Sequence, residues 1–158
     1  NVAVIDGNPY LFDPTWGAGR YNRKFIKEPS YFYYKAEPEL FIKTHYPSIF
    51  EDAFIDQIIS REVFAELPLI ISESLRIEDV VFPMNGIIQS DAYFDEIGFT
   101  INNCNPKEVS YSFGGEKISL KNKEIIEESL CFSVPLQLGV ETLLIYFDEK
   151  PALGYRIK

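Results

Sequence analysis

One histidine, two cysteines, one tryptophan and one methionine stand among 158 residues, and these scarcities exclude a good deal of chemistry. A zinc site built on several imidazoles cannot be assembled from His45 alone, and any imidazole-based triad must use it or borrow from elsewhere. Cys104 and Cys131 are too few for a disulfide framework and lack metal-ligand spacing. They read as two half-buried thiols on strands, with a single bridge left open. No apolar run reaches the roughly 18 residues needed to span a bilayer, and the chain has no basic segment or apolar signal core at its start, so it reads as soluble with no compartment assigned. Basic residues are outnumbered, 15 against 24 acidic, for a formal net charge of −9. That field repels phosphate backbones and anionic headgroups, so nucleic acid is not an expected partner. Phosphate loops and dinucleotide fingerprints are missing: Gly17-Ala18-Gly19 lacks the strand-to-helix setting those motifs need, and no cofactor is expected.

What the chain does have is apolar and aromatic bulk. Apolar residues make up 46% and aromatics 15%, with 10 Tyr and 13 Phe in strand-like runs, enough to bury a real core in one domain or one domain plus an appendage. Gly and Pro punctuate the chain regularly, which points to a mainly β fold.

The opening residues, Val2 to Phe12, are two apolar runs separated by Asp6-Gly7-Asn8, turn chemistry that predicts a β-hairpin. Asp13-Pro14 ends its second strand, because the proline ring drives Asp13 to an extended conformation. Gly17, Gly19 and Asn22 predict an irregular loop, locally positive at Arg20, Arg23, Lys24 and Lys27. An aromatic flap follows with Phe25 and Tyr31-Phe32-Tyr33-Tyr34. Pro38-Glu39-Leu40-Phe41-Ile42 predicts a short helix with proline at its first position. Ser60 predicts the cap of a two-turn helix over 60–67, stopped by Pro68.

From Leu75 the pattern is strand after strand: 75–82, 86–89, 94–101, 108–113, 116–120, 125–134, 142–147 and 153–157. Ile97, Phe99 and Ile101 alternate, as do Val109, Tyr111 and Phe113, which fits sheets with one buried face. An immunoglobulin-like antiparallel β-sandwich is the expected architecture there. The organisation read from sequence is therefore a hairpin with an aromatic flap over 1–50, a helical connector over 51–74 and the sandwich over 75–158.

Asp13 is the candidate for chemistry. A carboxylate at the end of a strand, flanked by Tyr10, Phe12 and Trp16, is partly desolvated and able to hold an imidazole; an Asp before Pro also caps turn amides in the ordinary way. Pairing of His45 with either cysteine has no support in spacing or in local positive charge. Tyr31, Tyr33 and Trp16 could make a platform for sugar or peptide, although such runs more commonly supply core rings. Asp91, Asp95 and Glu96 form an acidic strand edge rather than a dedicated calcium loop.

The stretch Gly7-Asn8-Pro9-Tyr10-Leu11-Phe12-Asp13-Pro14-Thr15-Trp16-Gly17-Ala18-Gly19 resembles the end of the transglutaminase-like core, in which a strand pair leads into an Asp-x-Thr-Trp-Gly turn. Pro38-Glu39-Leu40-Phe41-Ile42-Lys43-Thr44-His45-Tyr46-Pro47 resembles a segment of the kyphoscoliosis-peptidase subgroup. The resemblance covers residues 1 to about 68 and is only architectural beyond. It implies a papain-like module in which Asp13 is the third member of a Cys-His-Asp triad, with Trp16 and Tyr10 lining the cleft or packing beside it. In that family the Cys and the His come before the hairpin, and His45 follows Asp13, so the resemblance does not give His45 the base role. Pro9 stands where an aromatic is common. The expectation is a C-terminal fragment, inert by itself, whose partner is the upstream part of the core. Two alternatives stay open: a non-catalytic protein-interaction module with a degenerate core, and a carbohydrate-binding sandwich.

Overall fold

A computed structural model describes residues 1–56, 59–90, 96–137 and 139–158, with backbone alone at 20–22. The protein is mainly β, with antiparallel sheets and, among the described residues, three short α-helices. It divides into two compact units, Asn1–Ile58 and Ile59–Lys158, so the residues expected as a connector over 51–74 are split between them.

In the first unit β1 (Val2–Ile5) and β2 (Asn8–Phe12) form the predicted hairpin, and β5 (Tyr34–Ala36) pairs with the other side of β2. The turn residues Asp6 and Gly7 both have positive φ, 51° and 81°, the handedness that a two-residue turn between right-twisted strands requires. Leu11, Ala36 and Phe41 bury a small core, with Tyr33 packed on it. Two expectations change here. The segment after Gly17 is not irregular: β3 (Gly19–Asn22) and β4 (Lys24–Lys27) form a two-stranded ribbon turned at Arg23, φ 58°. The aromatic flap is not one continuous element, because Ser30 Oγ accepts the Phe32 amide and winds Tyr31–Tyr33 into a single 3-10 turn before β5 begins. The side chains of Arg20 and Asn22 lie outside the described residues. α1 (Pro14–Gly17) and α2 (Pro38–Phe41) are single turns, each with proline in its first turn.

The second unit opens with α3 (Arg61–Glu66), whose cap is Ser60, with Oγ accepting the Val63 amide at 3.2 Å. One sheet runs β11 (Ile118–Ser119), β10 (Val109–Ser112), β14 (Thr142–Phe147), β15 (Lys150–Ile157), β6 (Leu69–Ile70), with β8 (Ile87–Ile88) parallel to β15. The other runs β12 (Lys123–Ile126), β13 (Ser129–Pro135), β9 (Glu96–Asn102), β7 (Val80–Phe82). Both sheets contribute to one core: Phe99, Ile101, Leu130, Phe132 and Val134 from the second meet Val109, Leu143, Ile145, Leu153 and Tyr155 from the first. Phe99 lies edge-on to Tyr155 with centroids 5.5 Å apart. The alternation expected at Phe99/Ile101 and Val109/Tyr111 is thus the inward face of a sandwich-like pair of sheets.

The expected strand 75–82 is a strand only from Val80, since residues 77–79 form a 3-10 turn. The expected strand 125–134 is a hairpin that reverses at Glu127-Glu128. Phe94, Asp91 and Asp95, named above for a strand start and an acidic edge, lie outside the described residues. Gly86 is obligatory where it stands, because a Cβ there would meet the Leu67 carbonyl oxygen at 2.4 Å. That close approach lets the Gly86 amide donate to Glu66 O at 2.7 Å, tying the end of α3 to the start of β8.

Candidate functional site

Asp13 sits where β2 meets α1, and the local sequence dictates its geometry. Its backbone is extended, φ −129° and ψ 94°, as a residue before proline prefers. Oδ1 accepts the amides of Thr15 at 2.8 Å and Trp16 at 2.9 Å, the pattern of a side chain capping the first turn of a helix. The Asp13 amide in turn donates to Tyr33 O at 3.1 Å, and the Gly17 amide donates to Asp13 O at 2.9 Å. Four hydrogen bonds therefore fix both the backbone and the carboxylate plane.

The other oxygen is engaged from an unexpected quarter. His45 Nε2 lies 2.7 Å from Asp13 Oδ2, although 32 residues separate them. His45 is delivered by the end of α2, where the Phe41 carbonyl accepts the amides of Thr44 at 3.2 Å and His45 at 3.1 Å. A spacing of four places ring over ring on one helical face: Phe41 and His45 stack with centroids 4.1 Å apart and planes 13° from parallel. Trp16 meets the imidazole edge-on at 5.1 Å, and Tyr33 does so at 6.1 Å. His45 Nδ1 lies 2.7 Å from Thr44 Oγ1. The result is a continuous chain, Thr44 hydroxyl, His45 imidazole, Asp13 carboxylate, walled by aromatic rings. Asp13 is 14% exposed and His45 24%.

Burial by itself raises the Asp13 pKa, but the Trp16 amide, the His45 ring, the Thr15 amide and the attraction of the imidazole together outweigh it, and the carboxyl ends below its ordinary value. Asp13 is thus held as an anion.

Among the residues chosen from sequence, Asp13 and Trp16 come together. Tyr10 does not join them: it lies in β2 beneath the Lys35 ammonium, 4.3 Å from the ring centroid, and alternation along the strand sends Tyr10 and Leu11 to opposite faces. His45, set aside because of its order in the chain, is the residue the fold brings to Asp13. The signal was present in the Phe41-x-x-x-His45 spacing beside Thr44, which could not by itself name the carboxylate it meets. A cleft of about 480 Å³ opens beside Asp13, which lines it together with Phe12, Pro14, Tyr31, Tyr33 and Tyr34 among others.

The two cysteines are free thiols in the second unit, Cys131 on β13 as expected and Cys104 in the loop after β9. Among the described residues no group of three or more His, Cys, Asp and Glu could hold a metal ion. No helix among them is long and apolar enough to cross a membrane. No protein-family model, curated protein or solved structure matches this chain.

Proposed function

We propose that the first unit is the C-terminal part of a transglutaminase-like module of the kyphoscoliosis-peptidase type, that Asp13 is its orienting carboxylate, and that the second unit is an accessory β-sandwich. The observation that supports this reading most is the engagement of Asp13 itself. Two peptide amides anchor one oxygen while the other accepts an imidazole N–H at 2.7 Å. A carboxylate so held is suited to orienting a ring and stabilising the imidazolium that forms when the ring takes a proton.

The implied reaction needs a thiol and a base from the upstream part of the core. The thiolate attacks a Gln or peptide carbonyl carbon, the C–N bond breaks, and the imidazolium returns its proton to the departing amine or ammonia. The thioester is then resolved by water or by a second amine. In that scheme Asp13 fixes the tautomer of the catalytic ring and never takes the proton itself.

The test is made on the polypeptide isolated from its natural source. Intact mass and N-terminal sequencing are expected to reveal an upstream segment with a Cys and a His, and the protein is expected to couple a fluorescent amine to a Gln-bearing substrate or to cleave a peptide. Asp13→Asn should lower kcat towards the roughly 10⁴-fold loss that follows neutralisation of an orienting Asp. An isolated protein without such a Cys and His, or one whose turnover ignores Asp13→Asn, overturns the reading.

A second reading, a non-catalytic binding module for a protein or glycan, draws on the exposed rings beside the cleft. Tyr31 is 86% exposed and Tyr34 60%, and exposed aromatics of this kind suit sugar faces and peptide side chains. Trp16 and Tyr33 stand edge to face at 78°, so they do not add a flat platform. Glycan-array or peptide-array binding that vanishes in Tyr31→Ala and persists in Asp13→Asn would favour this reading over the first.

A further inference from the structure

We propose that His45 is a positioning residue for Asp13, a permanent Nε2–H donor that sets the angle of the carboxylate and leaves it one acceptor direction for a second imidazole. This rests on the transglutaminase-like reading and adds to the expected triad a fourth member, drawn from after the Asp in the chain.

A carboxylate offers about four acceptor directions. Oδ1 of Asp13 uses two, on the amides of Thr15 and Trp16, and Oδ2 uses one on His45. Among the described residues one direction on Oδ2 is left, and its bearing is fixed because the carboxylate is held at both oxygens.

Thr44 makes the donor permanent. Its hydroxyl lies 2.7 Å from His45 Nδ1 and 3.4 Å from the Phe41 carbonyl. When the ring is neutral, the hydroxyl donates to Nδ1, which places the ring's single proton on Nε2, facing Asp13. When the ring is protonated, Nδ1–H donates to the hydroxyl oxygen, and the hydroxyl proton turns to the Phe41 carbonyl. Nε2–H therefore points at Asp13 in both charge states. The groups packed on the ring are Phe41 and Thr44 from the end of α2, Trp16 from α1, Tyr33 from the 3-10 turn and Asp13 from the end of β2. Of these Asp13 and Tyr33 are the ionisable ones, and Asp13 is the one its surroundings hold as an anion. The stack on Phe41 and the edge contacts of Trp16 and Tyr33 oppose rotation of the ring.

Because the chain has one histidine, its ¹⁵N-labelled imidazole gives a spectrum of this site alone. From about pH 5 to about pH 9 the Nε2-bound proton should stay visible, and the neutral ring should be the Nε2–H tautomer, a preference weakened in Thr44→Val. A neutral ring protonated on Nδ1, or an averaged tautomer mixture in the unaltered chain, overturns the proposal. The second arm uses the isolated parent polypeptide. His45→Leu should lower kcat about ten- to a hundredfold with KM unchanged, the size of loss typical when the hydrogen-bond partner behind a metal-ligating side chain is removed. His45→Gln, whose amide N–H occupies the place of Nε2–H, should recover most of it. If Asp13→Asn abolishes turnover and His45→Leu, shown folded by circular dichroism, leaves it unchanged, this inference fails while the functional reading stands. If Asp13→Asn has no effect, the reading itself fails.

Discussion

Phe99 and Phe132 stand directly opposite each other in the β9–β13 ladder, their rings 4.9 Å apart and only 7° from parallel. Their Cβ atoms point into the space between the two sheets, where Phe99 also meets Tyr155 from the facing sheet. One side chain thus links a cross-strand pair to a cross-sheet pair, and it is 2% exposed. Phe99→Ala removes both contacts and leaves a cavity, so it should destabilise the second unit by about 3–5 kcal/mol. Urea unfolding followed by far-ultraviolet circular dichroism measures this, and a cost under about 1 kcal/mol would mean the two sheets do not share this core.

The hairpin at Glu127-Glu128 carries a cost that a substitution can relieve. Both residues have positive φ, 48° and 70°, and for residues with a Cβ the left-handed region is unfavourable by about 1–2 kcal/mol each. Asp148-Glu149, joining β14 to β15, repeats the arrangement at 47° and 70°. Glu128→Gly and Glu149→Gly should each stabilise the chain by about 0.5–1 kcal/mol, part of the relief being offset by the added freedom of the unfolded chain. Thermal unfolding of the two single variants and the double variant checks both the sign and the additivity of the two effects.

The same two turns explain where reading the sequence runs out. Asp6-Gly7 announces a hairpin by residue type, whereas Glu127-Glu128 adopts the same backbone without turn chemistry and Asp148-Glu149 with a turn residue only at its first position. Residues 125–134 therefore read as one strand, and residues 150–152 read as no strand. Core positions such as Phe99, Ile101, Val109 and Tyr111 were legible because alternation is a property of the strand itself. The cap role of Asp13 and the helix starts at Pro38 and Ser60 were also legible, since capping acts within three residues. The Asp13–His45 contact was not, because it depends on β2, β5 and α2 meeting around Leu11, Ala36 and Phe41.

Cys104 should be a slow nucleophile. Burial and the neighbouring Asp79 carboxylate push its thiol up to about 11, against a smaller opposing effect of Lys123. Asp79 is itself held by the Arg76 amide and the Asn103 side-chain amide, both at 2.7 Å. At pH 8 the thiolate fraction of Cys104 should fall about two orders of magnitude below that of an unperturbed thiol near pKa 8.5. Alkylation by iodoacetamide, followed by peptide mass mapping, should show modification at Cys104 lagging far behind a reference peptide. Reaction at the reference rate would contradict the burial of this sulfur.

Stability of the first unit should carry an acid limb written by Asp13. The carboxyl pKa in the folded chain lies below the ordinary value of 3.8: burial raises it, and the amides of Trp16 and Thr15 with the His45 ring lower it by more. At a pH between the folded value and 3.8 the unfolded chain binds a proton that the folded chain does not, so stability rises with pH across that interval. The Asp13 contribution is therefore complete well above 3.8 and is lost as the pH falls through the lower, folded value. Asp13→Asn keeps a side-chain oxygen able to cap Thr15 and Trp16 but has no charge to lose. Trp16, the one tryptophan in the chain, lies against the His45 ring and reports on this unit through its fluorescence. Plotted from about pH 6 down to about pH 2, the urea midpoint of the unaltered chain should fall more steeply than that of Asp13→Asn, and the two curves should run parallel above about pH 5. Equal slopes at the acid end would show that the His45 and amide contacts do not hold Asp13 as an anion, and with them would go the physical basis for assigning this carboxylate to an imidazole.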